Sequence, residues 1–516
     1  MSSTRKMLSM GLPSSCRTLA SARGFLAAIA MLALSPCALS QPHADRVPER
    51  DPTPDVQARI ARVEQGLSTP VVVKGAPDRR MRLMDRMAFH RVPAVSIAVI
   101  NNGHVEWARA YGELEAGGKR PVTPETLFQA GSVSKTLTAM AALRLVENGT
   151  LSLDADANTQ LSSWKIPQNP FTRQSPVTLR RLLNHSAGMN VHGFLGYAEG
   201  AAVPSLVQVL DGTPPANSEA VRVVSTPGSQ WSYSGGGYSV AQLMMTDATR
   251  QPFPELMQAL VLAPLQMQDS SFALTPPAAW QARTATAHHS DGEPVVGRWH
   301  VYPESAAAAL WTTPGDLAKV VVDIQQAQGS VPGKILSPAM AATLLHRELG
   351  DYGLGVFVEK VGAGTSFGHS GGTDGFRTQL YGYSHTGQGA VVMTNSDNGA
   401  ALIDELLVSI AAEYGWPEFK VIEKTAIAPD ARSNAAVAGN YQLHDTPAHV
   451  IAEGDRLYFQ SDLFGAERME LFAQSSTRFF FTAKDMALDF QLDERGRASA
   501  FSLLRNGARH TGVRQE

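Results

Sequence analysis

Residues typical of β-strands occur in two separate blocks of this chain, and a long stretch of helix-like and loop-like sequence lies between them. The first block begins at Pro93 and reads AVSIAVI, then Asn102-Gly103, then HVEWARAYG, which is a strong hairpin signal. The second block begins at Tyr352 with YGLGVFVE, FRTQLYGY and GAVVMTN. We therefore expect an α+β fold, in which an antiparallel sheet is flanked by helices and the intervening residues form a mainly helical subdomain.

Changes in composition divide the remainder of the chain into further segments. Residues 41–80 are polar at first and then form a helical pattern, DVQARIARVEQGL, and residues 421–432 read as a polar linker. After the linker, short runs such as RLYFQ, RFFFTA and LDFQL predict a small antiparallel β-barrel domain at residues 433–516. Between these segments we expect one large domain at residues 81–420.

The N-terminal residues 1–40 have the composition of a secretory signal peptide. Basic residues precede the apolar run GFLAAIAMLAL, and Ala38-Leu39-Ser40 provides small residues at a cleavage point. We therefore expect a periplasmic or secreted protein. Cys37 lies in LSPC, which fits a lipoprotein pattern poorly because a proline directly precedes the cysteine, so a lipid anchor is the weaker expectation.

Composition excludes several kinds of chemistry and partner. Both cysteines, Cys16 and Cys37, lie in the predicted signal peptide, so the mature chain has no disulfide, thiol nucleophile or thiolate metal site. The formal net charge of -3 provides no electrostatic footprint for nucleic acid, and no later segment is apolar enough to span a membrane. A small-molecule or peptide substrate remains as the expected partner, and the oligomeric state is left open.

A candidate nucleophile lies in Ser132-Val133-Ser134-Lys135, where a helical run that ends at Asn148-Gly149 begins. A serine there faces unpaired backbone N–H groups, and a lysine three residues later lies on the same helix face. Burial beside another cation would lower the pKa of this lysine, so that its amine accepts the serine proton. The same spacing also occurs at Ser3–Lys6 and Ser162–Lys165, and a serine at this position is often only a helix cap.

A second candidate stretch is PGSQWSYSGGGYS, residues 227–239. Its three consecutive glycines allow the backbone to approach another group closely. Tyr233 in this loop is a candidate hydrogen-bond donor or, with a lowered pKa, a candidate base. The alternative is that Trp231 and Tyr233 only pack over a tight loop.

The third stretch is GHSGGTDGF, from Gly368 to Phe376, and its first five residues fit the G-x-S-x-G nucleophile elbow. In that interpretation Ser370 is the nucleophile, with Asp397 and His444 as candidate partners. An elbow serine is followed by a helix, whereas TDGFRTQLYGY reads as a turn into a strand. We therefore interpret this stretch as a strand that forms one wall of an active site.

Five motifs, in the same order as in the family, resemble serine hydrolases of the penicillin-binding-protein and class C β-lactamase type. They are FQAGSVSKTLTA, VTLRRLLNHSAGM, PGSQWSYSGGGYSVAQL, LWTTPGDLAK and FGHSGGTDGF. The resemblance covers about residues 80–415. The tail after residue 420, with GNYQL and RLYF, resembles the lipocalin-like β domain that is appended to several peptidase-type relatives.

The resemblance implies a role for each candidate residue. Ser132 would be the acylated nucleophile, Lys135 its activating partner, and Tyr233 the group that relays protons to the leaving group. The backbone N–H groups of Ser132 and Gly372 would form the oxyanion hole. His369-Ser370-Gly371 would line the cleft and contact the substrate.

Two positions depart from the family pattern. Gly235 stands where the family often has an asparagine that contacts the substrate amide, and His369 replaces a lysine that attracts the carboxylate of a β-lactam. A histidine is charged only part of the time near neutral pH. We therefore expect acyl transfer on peptide, amide or ester substrates, as in a D-amino-acid peptidase or amidase or an esterase. The alternatives are a β-lactamase and a catalytically silent binding or scaffold protein with the same fold.

Other polar clusters do not predict catalysis. His185 in LLNHSAGM reads as a hydrogen-bonded structural histidine, and His288-His289 reads as a solvated loop. The stretch from Asp154 to Asn158 begins like a calcium loop, but Thr159 and Lys165 replace its glycine and closing glutamate. We expect neither a metal ion nor a cofactor.

Overall fold

The computed structural model describes residues 52–515, apart from 78–79, 330–331, 363, 429, 445, 465–467 and 506–507, and the predicted signal peptide lies outside the described residues. None of the described helices is long and apolar enough to cross a bilayer. The α-helices are α1 (Pro54–Gln65), α2 (Leu83–Phe89), α3 (Ser134–Glu147), α4 (Ala157–Gln160), α5 (Pro170–Gln174), α6 (Leu179–Leu183), α7 (Leu206–Asp211), α8 (Gly235–Thr249), α9 (Phe253–Met257), α10 (Ser305–Ala308), α11 (Pro314–Gln328), α12 (Pro338–Leu345), α13 (Gly399–Tyr414) and α14 (Ala431–Val437).

The strands follow the two predicted blocks and the predicted C-terminal domain. They are β1 (Val71–Val73), β2 (Ala94–Asn101), β3 (His104–Gly112), β4 (Phe128–Gln129), β5 (Trp311–Thr312), β6 (Phe357–Val361), β7 (Gly364–Thr373), β8 (Phe376–Tyr383), β9 (Gly389–Thr394), β10 (Ile422–Lys424), β11 (Gly439–Leu443), β12 (Thr446–Glu453), β13 (Arg456–Gln460), β14 (Met469–Ala473), β15 (Arg478–Phe481), β16 (Met486–Leu492), β17 (Ala498–Arg505) and β18 (Ala508–Arg514).

The two predicted blocks form one six-stranded antiparallel sheet, in the order β3-β2-β9-β8-β7-β6. Side chains alternate between its two faces, so the β2 residues Ala98 and Ile100 join the core that contains α3 and α11. Ile97 and Val99 join a second core with α1 and α13 on the opposite face. Helices cover both faces of the sheet, which confirms the predicted α+β fold.

The hairpin between β2 and β3 turns at Asn102 and Gly103, as predicted. Both residues have positive φ angles, of 52° and 74°, as a two-residue turn of the primed type requires. This turn matches the twist of the two strands and fixes their register, in which Asn101 pairs with His104.

Helix α3 runs through the interior of the large domain, and nearly all of its side chains are buried. Its buried hydroxyl groups are paired with backbone groups: Thr136 donates to the Gly355 carbonyl at 2.7 Å and Thr138 to the Ala306 carbonyl at 3.1 Å. The Ser134 hydroxyl accepts from the Leu310 N–H at 3.1 Å. A buried helix with its polar groups satisfied in this way provides a rigid support for the residues at its N-terminus.

The C-terminal strands β11 to β18 form a closed antiparallel barrel, which confirms the predicted β-barrel. Its interior contains an aromatic cluster that includes Phe459, Phe481 and Phe501, each fully buried. The short strands β1 and β10 pair in parallel beside the barrel, and Val71 N–H donates to the Thr482 carbonyl at 3.2 Å. The predicted linker therefore includes a strand that pairs with the N-terminal extension.

Gly103→Ala is expected to lower the free energy of unfolding by about 1 kcal/mol, because alanine is strained at a positive φ. A Cβ atom at Gly103 meets nothing within 4 Å, so steric clash does not contribute. The matched control is Gly315→Ala in α11, where a Cβ atom lies 3.9 Å from Thr313 Oγ1 and no loss is expected. Urea denaturation measures both variants, and equal stability of the two would contradict the turn geometry.

Candidate active site

A cleft of about 420 Å³ opens beside β7 and the N-terminus of α3. Six of the residues predicted from the sequence to form the site line it: Ser132, Lys135, Tyr233, His369, Ser370 and Gly372. The structure therefore brings together residues from three distant stretches of the chain. Their catalytic roles stay predictions.

Ser132 lies in the 3-10 turn Gly131–Val133, directly before α3, and Lys135 lies in the first turn of the helix. The Lys135 side chain is buried, and its Nζ atom lies 3.0 Å from Ser132 Oγ. Nζ also donates to the Ala307 carbonyl at 2.9 Å. These two contacts hold the amine within proton-transfer distance of the hydroxyl group.

Burial lowers the pKa of Lys135 to about 7, because the ammonium form loses its hydration. The second cation that sequence reasoning invoked is therefore not needed. The nearest imidazoles, those of His185 and His369, have pKa values lowered by burial and by Lys135, and they are neutral near pH 7. A substantial fraction of Lys135 is thus an uncharged amine at neutral pH.

Tyr233 lies on the loop before α8, and its ring centroid is 5.1 Å from Lys135 Nζ. Burial raises the pKa of its phenol to about 12, although a hydrogen bond with the Ser132 hydroxyl opposes that rise. A raised pKa favours Tyr233 as a hydrogen-bond donor over a tyrosine base with a lowered pKa. The phenol is protonated near neutral pH and is available as a hydrogen-bond donor at Ser132.

His185 packs behind Tyr233, with ring centroids 4.2 Å apart. It is buried, and its Nδ1 accepts from the Ser234 N–H at 3.1 Å, which agrees with the structural role expected for it. Its ring also lies 4.7 Å from that of Tyr352. This aromatic platform fixes the orientation of the Tyr233 ring.

Beside the cleft, none of the described strands pairs with the outer edge of β7 beyond Gly368. Its ladder with β6 ends where Phe357 pairs with Gly368, whereas its ladder with β8 continues to Thr373. The turn that contains Ser132 packs on one face of β7 so closely that a Cβ atom on Gly371 would lie 1.9 Å from the Ala130 carbonyl oxygen. Glycine is needed there because the two backbones meet. The contact brings Gly372 next to Ser132, as the predicted oxyanion hole requires.

His369 is buried in the cleft wall, and its two ring nitrogens have fixed partners. Nδ1–H donates to the Ser370 carbonyl at 2.5 Å, and Nε2 accepts from the Tyr352 hydroxyl at 2.9 Å. Burial, together with the nearby Lys135, lowers the pKa of His369 to about 3. His369 is therefore neutral throughout the physiological pH range.

The G-x-S-x-G elbow is not present in the structure. Ser370 lies within β7, which continues through a turn into β8, and no helix follows the serine. His444 lies far along the chain, between the barrel strands β11 and β12. Ser370 therefore lines the cleft without the geometry of a nucleophile elbow.

The expectation that His288 is solvated is wrong. The side chain is fully buried, with Nδ1 donating to the Asn395 carbonyl at 3.0 Å and Nε2 accepting from the Ala116 N–H at 3.1 Å. The loop packs against the end of β9, which sequence alone did not indicate. Its neighbour His289 remains partly exposed. In the stretch that begins like a calcium loop, the Asp154 carboxylate forms an ion pair with Arg180 at 2.6 Å.

The aromatic residues that shape the cleft were not predicted from the sequence. Phe194, Tyr302 and Phe357 line it, and each comes from a loop or strand end without a periodic pattern. Phe194 packs tightly over Gly235, where a Cβ atom would lie 3.0 Å from the Phe194 ring. A ring therefore covers the position where relatives often have an asparagine.

The geometry fits the family that the comparisons identify. The sequence profile of the Beta-lactamase family matches residues 82–413, and the chain belongs to this family. It is a serine hydrolase of the β-lactamase and penicillin-binding-protein superfamily.

Individual relatives agree with this assignment. Penicillin-binding protein 4* of Bacillus subtilis (strain 168) is 24% identical over 450 residues, which cover 81% of this chain and 94% of the relative. Esterase EstB of Burkholderia gladioli is 34% identical over 215 residues, 39% of this chain and 51% of the esterase. The octameric penicillin-binding protein homologue from Pyrococcus abyssi has a similar fold, with a TM-score of 0.58 and 21% identity over 84% of this chain and 98% of that one.

Gly371→Ala is expected to lower kcat by roughly 100-fold or more, because the methyl group pushes β7 away from the turn and separates the N–H groups of Ser132 and Gly372, the predicted oxyanion donors. The matched control is Gly372→Ala. There the Cβ atom approaches only the Arg377 side chain, at 3.3 Å, and the N–H group is kept, so a much smaller loss is expected. Steady-state kinetics on a chromogenic ester distinguish the two variants, and similar losses would contradict this geometry.

Proposed function

We propose that this serine hydrolase acts through an acyl-enzyme at Ser132 on esters, and secondarily on amides, whose reacting part is apolar and carries no carboxylate. The observation that carries the proposal is the buried, neutral His369 with both ring nitrogens occupied. A substrate carboxylate finds no fixed positive charge at this position, where β-lactamases of the family have a lysine.

The reaction proceeds in two steps. The neutral Lys135 amine accepts the Ser132 proton as Oγ attacks the carbonyl carbon, and the oxyanion accepts hydrogen bonds from the N–H groups of Ser132 and Gly372. The Tyr233 phenol passes its proton to the leaving group and is reprotonated from Lys135. In the second step water gives a proton to Lys135 as its oxygen attacks the acyl carbon. The bond between that carbon and Ser132 Oγ then breaks, the acid leaves, and Lys135 returns the proton to Oγ.

The lining of the cleft supports an apolar acyl group. Trp231, Phe194, Tyr302 and Phe357 present rings to the cavity, and Phe194 covers the position where a polar amide contact would otherwise form. Lys135 is the one lysine or arginine among the lining residues. Its Nζ atom already has hydrogen-bond partners in the Ser132 hydroxyl and the Ala307 carbonyl. The sequence similarity to esterase EstB supports the same substrate class.

A second candidate function is a peptidase or amidase specific for D-amino acids. The unpaired outer edge of β7 beyond Gly368 favours it, because an extended peptide backbone can add to such an edge. A β-lactamase is the third candidate, and neutral His369 weighs against it. A catalytically silent scaffold would have no reason to maintain the buried Lys135–Ser132 pair.

We also propose that the chain is exported, on the basis of the predicted signal peptide, and cell fractionation tests this.

The substrate order is tested with the mature chain on p-nitrophenyl butyrate, D-phenylalanine p-nitroanilide and nitrocefin. We expect kcat/KM to be highest for the ester and lowest for nitrocefin, because nitrocefin carries a carboxylate. Ser132→Ala is the control, and it should lose both turnover and labelling by a fluorophosphonate probe. A wild-type protein that does not label would indicate a silent scaffold, and fastest turnover of nitrocefin would overturn the substrate proposal.

The pH dependence tests the assignment of the base. Only the neutral amine of Lys135 accepts a proton, and burial lowers its pKa to about 7, so kcat/KM for an uncharged ester should rise with pH and level off above about pH 7. His369, with a pKa of about 3, and Tyr233, with a pKa of about 12, do not change their charge between about pH 5 and pH 9, so they should not alter the profile in that range. His369→Asn should keep the profile. A midpoint near the pKa of a solvated lysine would contradict the role of Lys135.

A further inference from the structure

A second cavity, of about 280 Å³, lies beside α13 and adjoins the catalytic cleft. Strands β6, β7 and β8 form one wall of it, and Asp404 and Leu407 of α13 form part of another. Phe357, His369 and Ser370 line both this cavity and the cleft. The two cavities therefore meet at the point where the ladder between β6 and β7 ends.

The charged residues that line the second cavity are all acidic. Glu359 lies on β6, Asp404 on α13 and Glu418 in the segment that follows α13, and no lysine or arginine is among the described residues that line the cavity. None of the ion pairs between described residues includes one of these three carboxylates. The cavity therefore has a negative potential that attracts a cation.

Asp404 is desolvated without a close counterion. Burial raises the pKa of Asp404, and its neighbour Glu405 adds to the rise. Lys484 and Arg505 of the barrel oppose this rise, but neither of them lines the cavity or lies within ion-pair distance of the carboxylate. Ionisation of Asp404 therefore has a cost in free energy that a cation in the cavity would reduce.

A buried hydroxyl group without a partner also faces the second cavity. Tyr381 of β8 lines the cavity, its exposed fraction is 9%, and its hydroxyl oxygen has no hydrogen bond to any described residue. The Ser366 and Tyr383 hydroxyls lie near it, outside hydrogen-bond geometry. Ser366, Glu418 and Glu359 all act on the pKa of Tyr381 and all line the cavity, so the hydroxyl is directed towards it. Burial raises this pKa to about 12, so the neutral phenol offers its oxygen to a donor that enters the cavity.

Aromatic rings complete the wall. Tyr381 and Phe419 both line the cavity, and their rings meet edge to face with centroids 4.9 Å apart. The buried Trp416 stacks on Tyr381 at 6.0 Å and fixes the orientation of that ring. The faces of aromatic rings attract ammonium groups, and their apolar surface packs against alkyl chains.

The spacing of the carboxylates does not suit a metal ion. Among the described residues, Glu359, Asp404 and Glu418 do not form a group whose ligand atoms all lie within 4.8 Å of one another. A cation that contacts all of them must therefore be larger than a bare metal ion and must carry its own hydrogen-bond donors. An alkylammonium ion has N–H donors for the carboxylates and the hydroxyl group, and an alkyl chain for the rings.

We propose that the cavity formed by Glu359, Asp404, Glu418, Tyr381 and Phe419 binds the ammonium group of an alkylammonium ion. The ammonium group donates hydrogen bonds to the carboxylates and to the Tyr381 hydroxyl, and the alkyl chain packs against the rings. Such an ion has two sources: the cationic end of a substrate whose reacting ester lies in the adjoining cleft, or a separate small molecule. The first source rests on the proposed function, whereas binding of the ion does not.

Binding is tested by isothermal titration of the mature chain with n-butylammonium, with n-butanol as its uncharged counterpart. We expect one site for n-butylammonium and none for n-butanol. Asp404→Asn and Glu418→Gln should each weaken binding by roughly 10-fold, because each removes a negative charge from the wall. Tyr381→Phe keeps the ring and should weaken binding by roughly fivefold, through the lost hydrogen bond.

The matched control is Glu413→Gln, which should bind n-butylammonium as the wild type does. Glu413 also lies on α13, but it pairs with Arg62 at 2.6 Å and does not line the cavity. The proposal would be overturned if the wild type did not bind n-butylammonium or bound n-butanol equally well. Wild-type affinity in both Asp404→Asn and Glu418→Gln would also overturn it.

Turnover distinguishes the two sources of the ion. The test compares p-nitrophenyl aminohexanoate, whose acyl chain ends in an ammonium group, with p-nitrophenyl heptanoate, an uncharged ester of equal chain length. A higher kcat/KM for the cationic ester that is lost in Asp404→Asn would identify the substrate as the source, and unchanged turnover of the heptanoate would show that the variant is folded. Equal kcat/KM for the two esters, with binding of n-butylammonium retained, would identify a separate small molecule. Failure to hydrolyse either ester would contradict the proposed function, while the titration would still decide whether the cation site exists.

Discussion

The burial of one amine determines how the rest of the site is built. Lys135 is neutral for a large part of the time at pH 7 because α3 carries it into the interior, and burial alone lowers its pKa to about 7. A buried amine needs partners, and the Ala307 carbonyl and the Ser132 hydroxyl provide them. The Thr136 and Thr138 hydroxyl groups of α3 donate to the Gly355 and Ala306 carbonyls, and these bonds help to hold the helix, with its lysine, in the interior. A mobile α3 would return the lysine to water and to its ordinary pKa.

The same desolvation explains why His369, the histidine in the cleft wall, is uncharged. Burial and the nearby Lys135 disfavour the protonated form of His369, and its partners Tyr352 and Ser370 fix a single neutral tautomer. The site therefore combines one titrating amine with a wall that carries no charge. Specificity in such a cleft depends on shape and apolar contact, which the rings of Phe194 and Trp231 provide.

Local patterns in the sequence predicted much of the fold, whereas the central site residues were singled out only by five family motifs in the same order. The Asn102-Gly103 turn, the spacing of Ser132 and Lys135, and the strand that carries Ser370 each follow from short-range rules of backbone geometry. Burial from distant segments was not predictable in this way. His288 appears in a polar loop, but the end of β9 covers it, and Phe194 fills the space above Gly235 from a loop far away in the chain. Such contacts depend on the completed tertiary structure.

The pairing of β1 with β10 affects how the barrel is attached to the rest of the molecule. β1 precedes the large domain in the chain and β10 follows it, yet the two strands lie side by side next to the barrel. Val71 bonds to Thr482, and Lys424 forms an ion pair with Asp485. The barrel is thus held at two points, by the segment before the large domain and by the segment after it. Cleavage of the chain in the linker would leave the hydrogen bond between Val71 and Thr482 in place. Attachment at two points therefore restricts rotation of the barrel about the linker.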